Sequence, residues 1–197
     1  EGRGTLRDQK AASQWIEYAA NQGFAPAQYR LGSFNREGIG VAKDSKKAFN
    51  WFQKAAQQGN ILAMHNLAVL YAEGVMGAPD YAAAAQWFRN AAEHGVKDSQ
   101  FNIAILSVRG LGITQDLNEA YKWFSAAARQ GDADAVKKRD EIAGRLTADK
   151  LAEAKAIAES FQAKRPEPRA NELSIPEGGW DGAAKFPSAA MNKKGES

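Results

Sequence analysis

The stretch DSKKAFNWFQKAAQQG, residues 44–59, reads as one amphipathic helix with its own start and stop signals. Ala48, Trp51, Phe52, Ala55 and Ala56 recur at helical spacing and form one apolar stripe. Asp44 stands just ahead of the stripe, where a carboxylate accepts helix N–H groups. Gly59 stands just past it, where a helix often ends on a residue with positive φ. The same reading repeats along the chain. Trp15, Trp51, Trp87 and Trp123 are each 36 residues apart. Gly23, Gly59, Gly95 and Gly131 keep that register, as do Asp8, Asp44, Asp80 and Asp116. So do the pairs Ala19-Ala20, Ala55-Ala56, Ala91-Ala92 and Ala127-Ala128, and the series Gly2, Gly38, Gly74 and Gly110. Self-similarity at a period of this size marks a repeat architecture.

Each unit reads as two helices. Helix A is expected at about 25–37, 61–73 and 97–109, and helix B at about 45–58, 81–94 and 117–130, with an earlier B copy at 9–22. Short loops pair A and B antiparallel, and small Ala residues let neighbouring helices approach. The expected fold is all-α: a right-handed superhelical solenoid of antiparallel helix pairs with a 36-residue period, followed by an irregular tail. Residues 1–23 read as a partial repeat whose helix A is expected upstream, and 24–131 as three full repeats. Residues 132–162 read as a helical cap, because Leu31, Leu67 and Ile103 become Arg139 in register, a polar residue suited to an end on which nothing stacks. Thr147 is placed to cap a last helix at about 148–161, with Leu151, Ala154, Ala158 and Phe161 inward. From 163 to 197, Pro166, Pro168, Pro176, Gly178-Gly179 and Pro187 mark a tail. Trp51, Trp87 and Trp123 are expected to be buried between hairpins.

Composition narrows the chemistry. The 197 residues are 44% hydrophobic and 25% charged, which is globular, and no apolar run is long enough for a membrane helix. The absence of Cys excludes disulfides, thiolate nucleophiles and Cys-ligated zinc. A net charge of +3 does not by itself imply nucleic acid. His94 takes the position of Gln58 and Gln130 at a helix end, where a polar side chain meets the last carbonyls. His65 has no partner ligand at metal spacing. No phosphate loop, nucleophile elbow or triad is visible, so neither catalytic residues nor a cofactor or metal site is expected.

The unit written through Ala27, Leu31, Gly32, Gly38, Gly40, Asp44, Ala48, Trp51, Phe52, Ala55, Ala56 and Gly59 resembles the Sel1-like repeat, a branch of the tetratricopeptide superfamily. The resemblance covers about residues 1–145 and implies a helical solenoid that binds proteins. The loop Gly74-Val-Met-Gly77 departs by one position in its second Gly. More narrowly, residues 23–32, 63–70, 97–102, 137–143 and the tail stretch 175–181 resemble the C-terminal repeat region of alphaproteobacterial polar-organelle development localization factors (PodJ-like proteins). That resemblance implies a periplasmic fragment, anchored through an upstream span, with a role in cell-pole organisation or envelope signalling.

What remains is surface. In a solenoid, helix A usually lines the concave side. With Ala27, Leu31 and Phe34 pointing to the core, the other face of helix A carries Tyr29, Ser33 and Arg36, then His65 and Val69, then Phe101, Ile105 and Val108, with Arg30, Asn66 and Asn102 along its edge. These residues are the candidate groove for a protein or peptide. The competing reading makes Phe101 and Ile105 ordinary core. A cell-wall glycan (peptidoglycan) is the alternative ligand, suggested by the narrower resemblance and by aromatics such as Tyr29 and Phe101. RNA is a further one, disfavoured because Arg30 is replaced by Asn66 and Asn102 and no basic stripe recurs. Self-association is expected through residues 9–22 or through the tail, where Ile175 and Trp180 are the candidate docking residues; the tail is expected to fold back on the array or enter a neighbouring molecule, with a free linker as the competing reading.

Overall fold

A computed structural model of the chain describes residues 6–172, with side chains from Ser13 onward. Ile175 and Trp180 lie outside the described residues. Those described form helices joined by turns, without a strand. The order is α1 (Leu6–Asn21), α2 (Ala25–Glu37), α3 (Ser45–Gln57), α4 (Ile61–Glu73), α5 (Tyr81–Glu93), α6 (Lys97–Arg109), α7 (Leu117–Arg129), α8 (Ala133–Ala143), α9 (Ala148–Ser160) and α10 (Pro168–Asn171). Helices α2, α4 and α6 match the expected A helices residue for residue, and α3, α5 and α7 end one residue before the expected B helices. The pairs α2/α3, α4/α5 and α6/α7 pack against each other, and each B helix packs on the A helix that follows it.

The recurring residues act as caps and pins. Asp44 and Asp80 accept the amides of Lys47 and Ala83, and Asp116 accepts those of Asn118 and Glu119. The amides of these three Asp residues donate back to the carbonyls of Asn35, Tyr71 and Ser107, which ties the start of each B helix to its A helix. Gly38, Gly74 and Gly110 end the A helices in the left-handed region, at φ 80°, 71° and 65°. Asp8 behaves differently from the other three: α1 begins at Leu6, so Asp8 lies within the helix and not ahead of it.

The core is a ladder of phenylalanines. Phe52, Phe88 and Phe124 are 0%, 4% and 0% exposed, each beside the Ala residues of its own helix. Gly32 is shaped by this ladder, since a Cβ there would lie 2.7 Å from the Phe52 ring. The expected tryptophan ladder is corrected. Trp123 is buried, Trp51 and Trp87 are half-buried, and Trp15 is 44% exposed. The reason is angular. Ala48, Phe52, Ala55 and Ala56 occupy the centre of the stripe, and the tryptophan, one residue before the Phe, is turned about 100° toward its edge. There its cover comes partly from neighbouring layers: Trp51 leans on Ala20, Ala27 and Leu31 of α1 and α2, and Trp123 is met by Phe161. Phe34, expected to be core, is half-buried.

At the C-terminal end α9 packs on α7. Ala154 and Ala158 are buried, and Leu151 and Phe161 are partly buried, as the sequence leads one to expect. Phe161 meets Trp123 edge-on at 5.1 Å between centroids, and Lys122 lies over the Trp123 ring at 4.0 Å. Residues 161–172 are not a free tail. They run back across the array as a strap, ending in the short helix α10.

Candidate partner-binding surface

The face made by successive A helices begins on α2. Tyr29 is half-buried, with its ring 6.0 Å from that of Phe52. Arg30 is exposed, and the Ser33 hydroxyl donates to the Tyr29 carbonyl. Arg36 reaches to α4, donating to Asn66 Oδ1 at 2.9 Å and pairing with Glu73 at 3.3 Å. Arg36 and Asn66 are therefore joined to each other. Asn66 also donates to the Leu62 carbonyl.

His65 sits between layers rather than on an open face. Its Nδ1 is 2.7 Å from the Ser99 hydroxyl on α6, and its ring lies 5.7 Å from that of Phe88. Burial holds the imidazole below its ordinary value of 6.5; Asp98 opposes that shift and Arg36 adds to it. His65 is thus a neutral bridge between α4 and α6. His94 takes the helix-end role expected of it, with Nδ1 2.9 Å from the Asn90 carbonyl. Val69, Ile105 and Val108 are half-buried and lean on the core. Phe101 meets Phe124 edge-on at 5.4 Å, while its other side faces out. The two readings of this stripe therefore both hold in part: one flank is core and one is open.

The open flank borders a cleft of about 380 Å³ between α4, α6 and the start of α8. His65, Phe101 and Asn102 line it, together with Asp98, Asp132 and Asp134. Asp132 caps α8 through the Ala135 amide, and Asp134 pairs with Lys137 at the surface. Of the expected residues, the structure brings His65, Phe101 and Asn102 together here. Tyr29, Ser33 and Arg36, on α2, do not line it, although the Arg36 guanidinium is near enough to act on the His65 charge. The three carboxylates were not expected. Asp98 and Asp134 are 36 residues apart, following Leu62 in register, and that change from apolar to acidic is the signal that could have marked them.

A second polar node ties α5 to α7. Arg89 donates through Nε and Nη2 to the two oxygens of Glu119, at 3.0 and 3.1 Å. Glu119 also accepts from the Trp123 indole and the Ser107 hydroxyl. These partners are occupied with one another, so the node stiffens the array and leaves the cleft as the candidate site. Among the described residues no helix is long and apolar enough to cross a membrane, and no group of His, Asp and Glu could hold a metal ion.

Stacked helix pairs, a continuous Phe–Ala core and a cleft open along the A helices define a helical-repeat solenoid of the scaffold type. The Sel1 repeat matches this chain at residues 1–24, 25–60, 61–96 and 97–132, and the chain belongs to the Sel1 repeat family. A Sel1 repeat protein from Oxalobacter formigenes is 30% identical, with a TM-score of 0.64 over 78% of this chain and 65% of that one. The protective antigen c5321 of uropathogenic Escherichia coli, which displays the SLR fold, is also 30% identical, with a TM-score of 0.66 over 83% of this chain and 35% of that one. The chain thus spans less than two thirds of either protein. Cysteine-rich protein B of Helicobacter pylori, 23% identical over 70% of this chain and 98% of that one, shares the fold at a TM-score of 0.52. No curated protein sequence matches significantly. The Sel1 repeat solenoid is a non-catalytic scaffold fold, and proteins built on it are generally protein-interaction scaffolds.

Proposed function

We propose that this protein holds a peptide segment of a partner protein in the cleft between α4, α6 and α8, and that the segment carries a Lys or Arg next to an apolar residue. The single observation behind this reading is the composition of the cleft. Phe101 supplies an apolar wall, Asn102 a backbone-pairing amide, and Asp98, Asp132 and Asp134 a negative rim. The same carboxylates repel phosphate and so weigh against RNA at this place. The test is a peptide array probed with the protein and with the double variant Asp98→Lys, Asp134→Lys. Both positions are exposed, so circular dichroism should not change. Retained peptides should be enriched in Lys or Arg, and the double variant should lose roughly tenfold or more in affinity. Equal binding by the variant would discard the cleft as the site.

A periplasmic role in cell-pole organisation or envelope signalling is the finer part of this proposal. Its support is the similarity of residues 23–32 and 175–181 to PodJ-like repeat regions. Fusing the protein, as its own cell makes it, to a reporter that matures only in the cytoplasm would test it: fluorescence would contradict the periplasmic placement.

A further inference from the structure

We propose that the segment Ile175–Trp180 of this chain docks in cis at the Gly23 turn and extends the strap by one more repeat. The strap follows the array turn by turn. Ala163 lies at the Gly95 turn, so close that a Cβ on Gly95 would be 3.2 Å from its own. Beside it, the Lys164 amide donates to the Glu93 carbonyl at 2.8 Å and its ammonium pairs with the Glu93 carboxylate. Ala170 lies at the Gly59 turn, 3.7 Å from where a Cβ on Gly59 would sit, and is 5% exposed.

The contacts at the Gly59 turn are polar and directional. Asn60 donates to the Ala170 carbonyl at 2.7 Å. Asn171 accepts from the Ile61 amide, one of the unpaired donors that open α4, and donates to the Gly59 carbonyl. The strap therefore advances seven residues, from 163 to 170, for each 36-residue repeat of the array.

The next turn in that direction is Gly23. A Cβ there would meet nothing within 4 Å. Phe24 beside it is 63% exposed, the most open large apolar side chain among the described residues. It takes the position of Asn60, which is 3% exposed beneath the strap. A cleft of about 350 Å³ opens here, with Gly23, Phe24 and Gln58 on the array side and Arg169 and Ala170 on the strap side. The strap has therefore already built one wall. Seven residues past Ala170 is Glu177, in the middle of LSIPEGGW, residues 173–180. Its apolar residues are Leu173, Ile175 and Trp180, and Trp180 falls outside the tryptophan register of the repeats. Eight residues of extended chain reach about 26 to 29 Å, ample for a cleft the strap already borders.

The chain has no Cys, so an engineered pair gives a clean test in the full protein. Gln22→Cys with Glu177→Cys should form a disulfide within one molecule under mild oxidation. The rate should be independent of protein concentration and fall about tenfold when Ile175 and Trp180 are both changed to Ser, since docking sets the effective concentration. A link only between two molecules, or a rate unmoved by the Ser changes, overturns the proposal. Hydrogen exchange without any Cys covers the case in which the pair fails to link. The amides at the start of α2 should exchange about tenfold faster in the Ser variant than in the parent, and equal exchange overturns docking.

Discussion

Trp15 and Trp123 hold the same place in the repeat, three periods apart, and meet opposite environments. Trp15 is 44% exposed and Trp123 is 1% exposed. Among the described residues, the core at the α1 end holds Ala20, Ala27 and Leu31, with Ile16, Ala19 and Trp51 leaning on it. Around Trp123 it is large, because α8 and α9 add Ala135, Ile142, Ala154 and Ala158, and Phe161 closes over the indole. The comparison separates two things that a repeat sequence merges. The stripe centre is buried by a hairpin's own partner helix. The stripe edge also depends on neighbouring layers, α1 for Trp51 and the α9 end with Phe161 for Trp123.

Alanine at each tryptophan would break this comparison most visibly. Trp123→Ala should cost about 3 to 5 kcal/mol, the range for deleting a fully buried aromatic. Trp51→Ala and Trp87→Ala should fall between, and Trp15→Ala should stay within about 0.5 to 1 kcal/mol. Urea titration of the four variants measures the series. Equal costs would show that repeat position, and not the neighbouring layer, decides burial.

Glycines sharpen the same contrast at the turns. A Cβ on Gly112 would collide with the backbone of Tyr81 and Ala82, and its φ of 70° is unfavourable for other residues. Gly131, at φ 81°, has nothing within 4 Å of such a Cβ. Gly112→Ala should therefore destabilise by roughly 2 kcal/mol or more, from overpacking added to strain. Gly131→Ala should carry the conformational cost alone, about 1 kcal/mol. Thermal melts of the pair test this, and a Gly131 variant as damaged as the Gly112 variant would contradict it.

These contrasts show where the sequence was legible. The A helices end where expected because Gly38, Gly74 and Gly110 stop them locally, and the B helices begin where expected because Asp44, Asp80 and Asp116 cap them locally. The tryptophans mislead because their cover depends in part on neighbouring hairpins, which a periodic pattern does not record. The strap is illegible for a related reason. Pro166 and Pro168 read as helix breakers, yet Pro168 begins α10, where its fixed φ and missing N–H do no harm. Nothing local to Asn171 announces a turn more than a hundred residues earlier. In the cleft, Phe101 and Asn102 follow from the helical wheel, while nothing in the local sequence separates Asp98, Asp132 and Asp134 from ordinary helix caps and solvated charge.

Asn171→Ala probes that long-range link. It leaves the Ile61 amide and the Gly59 carbonyl without their strap partner. The expected cost is about 1 to 2 kcal/mol, the penalty for orphaned, partly buried polar groups. Asn118→Ala, whose side chain makes only a long surface contact of 3.5 Å to Glu153, should cost about 0.5 kcal/mol or less. Matching midpoints for the two variants would mean that the strap merely rests on the array.

The smallest expected effect is a pH dependence, and its sign follows from His65. Burial lowers its pKa in the folded protein below the unfolded value of 6.5. As pH falls through about 6.5, the unfolded chain takes up a proton that the folded chain refuses. Unfolding then binds protons, so stability declines with falling pH until the folded imidazole titrates as well. Above that window both states are neutral and the residue contributes no slope. His65→Gln keeps a polar group near Ser99 without the titration. Urea midpoints at about pH 7.5 and about pH 5.5 should therefore differ less in the variant than in the parent protein. The exposed groups elsewhere on the chain are common to both proteins and cancel in this comparison. Below that window, once the folded imidazole itself titrates, a positive charge stands beside Asp98 in the cleft, so binding of a basic peptide should weaken there in the parent and not in the variant. A parent and variant with parallel pH profiles would show that His65 is not held neutral between α4 and α6.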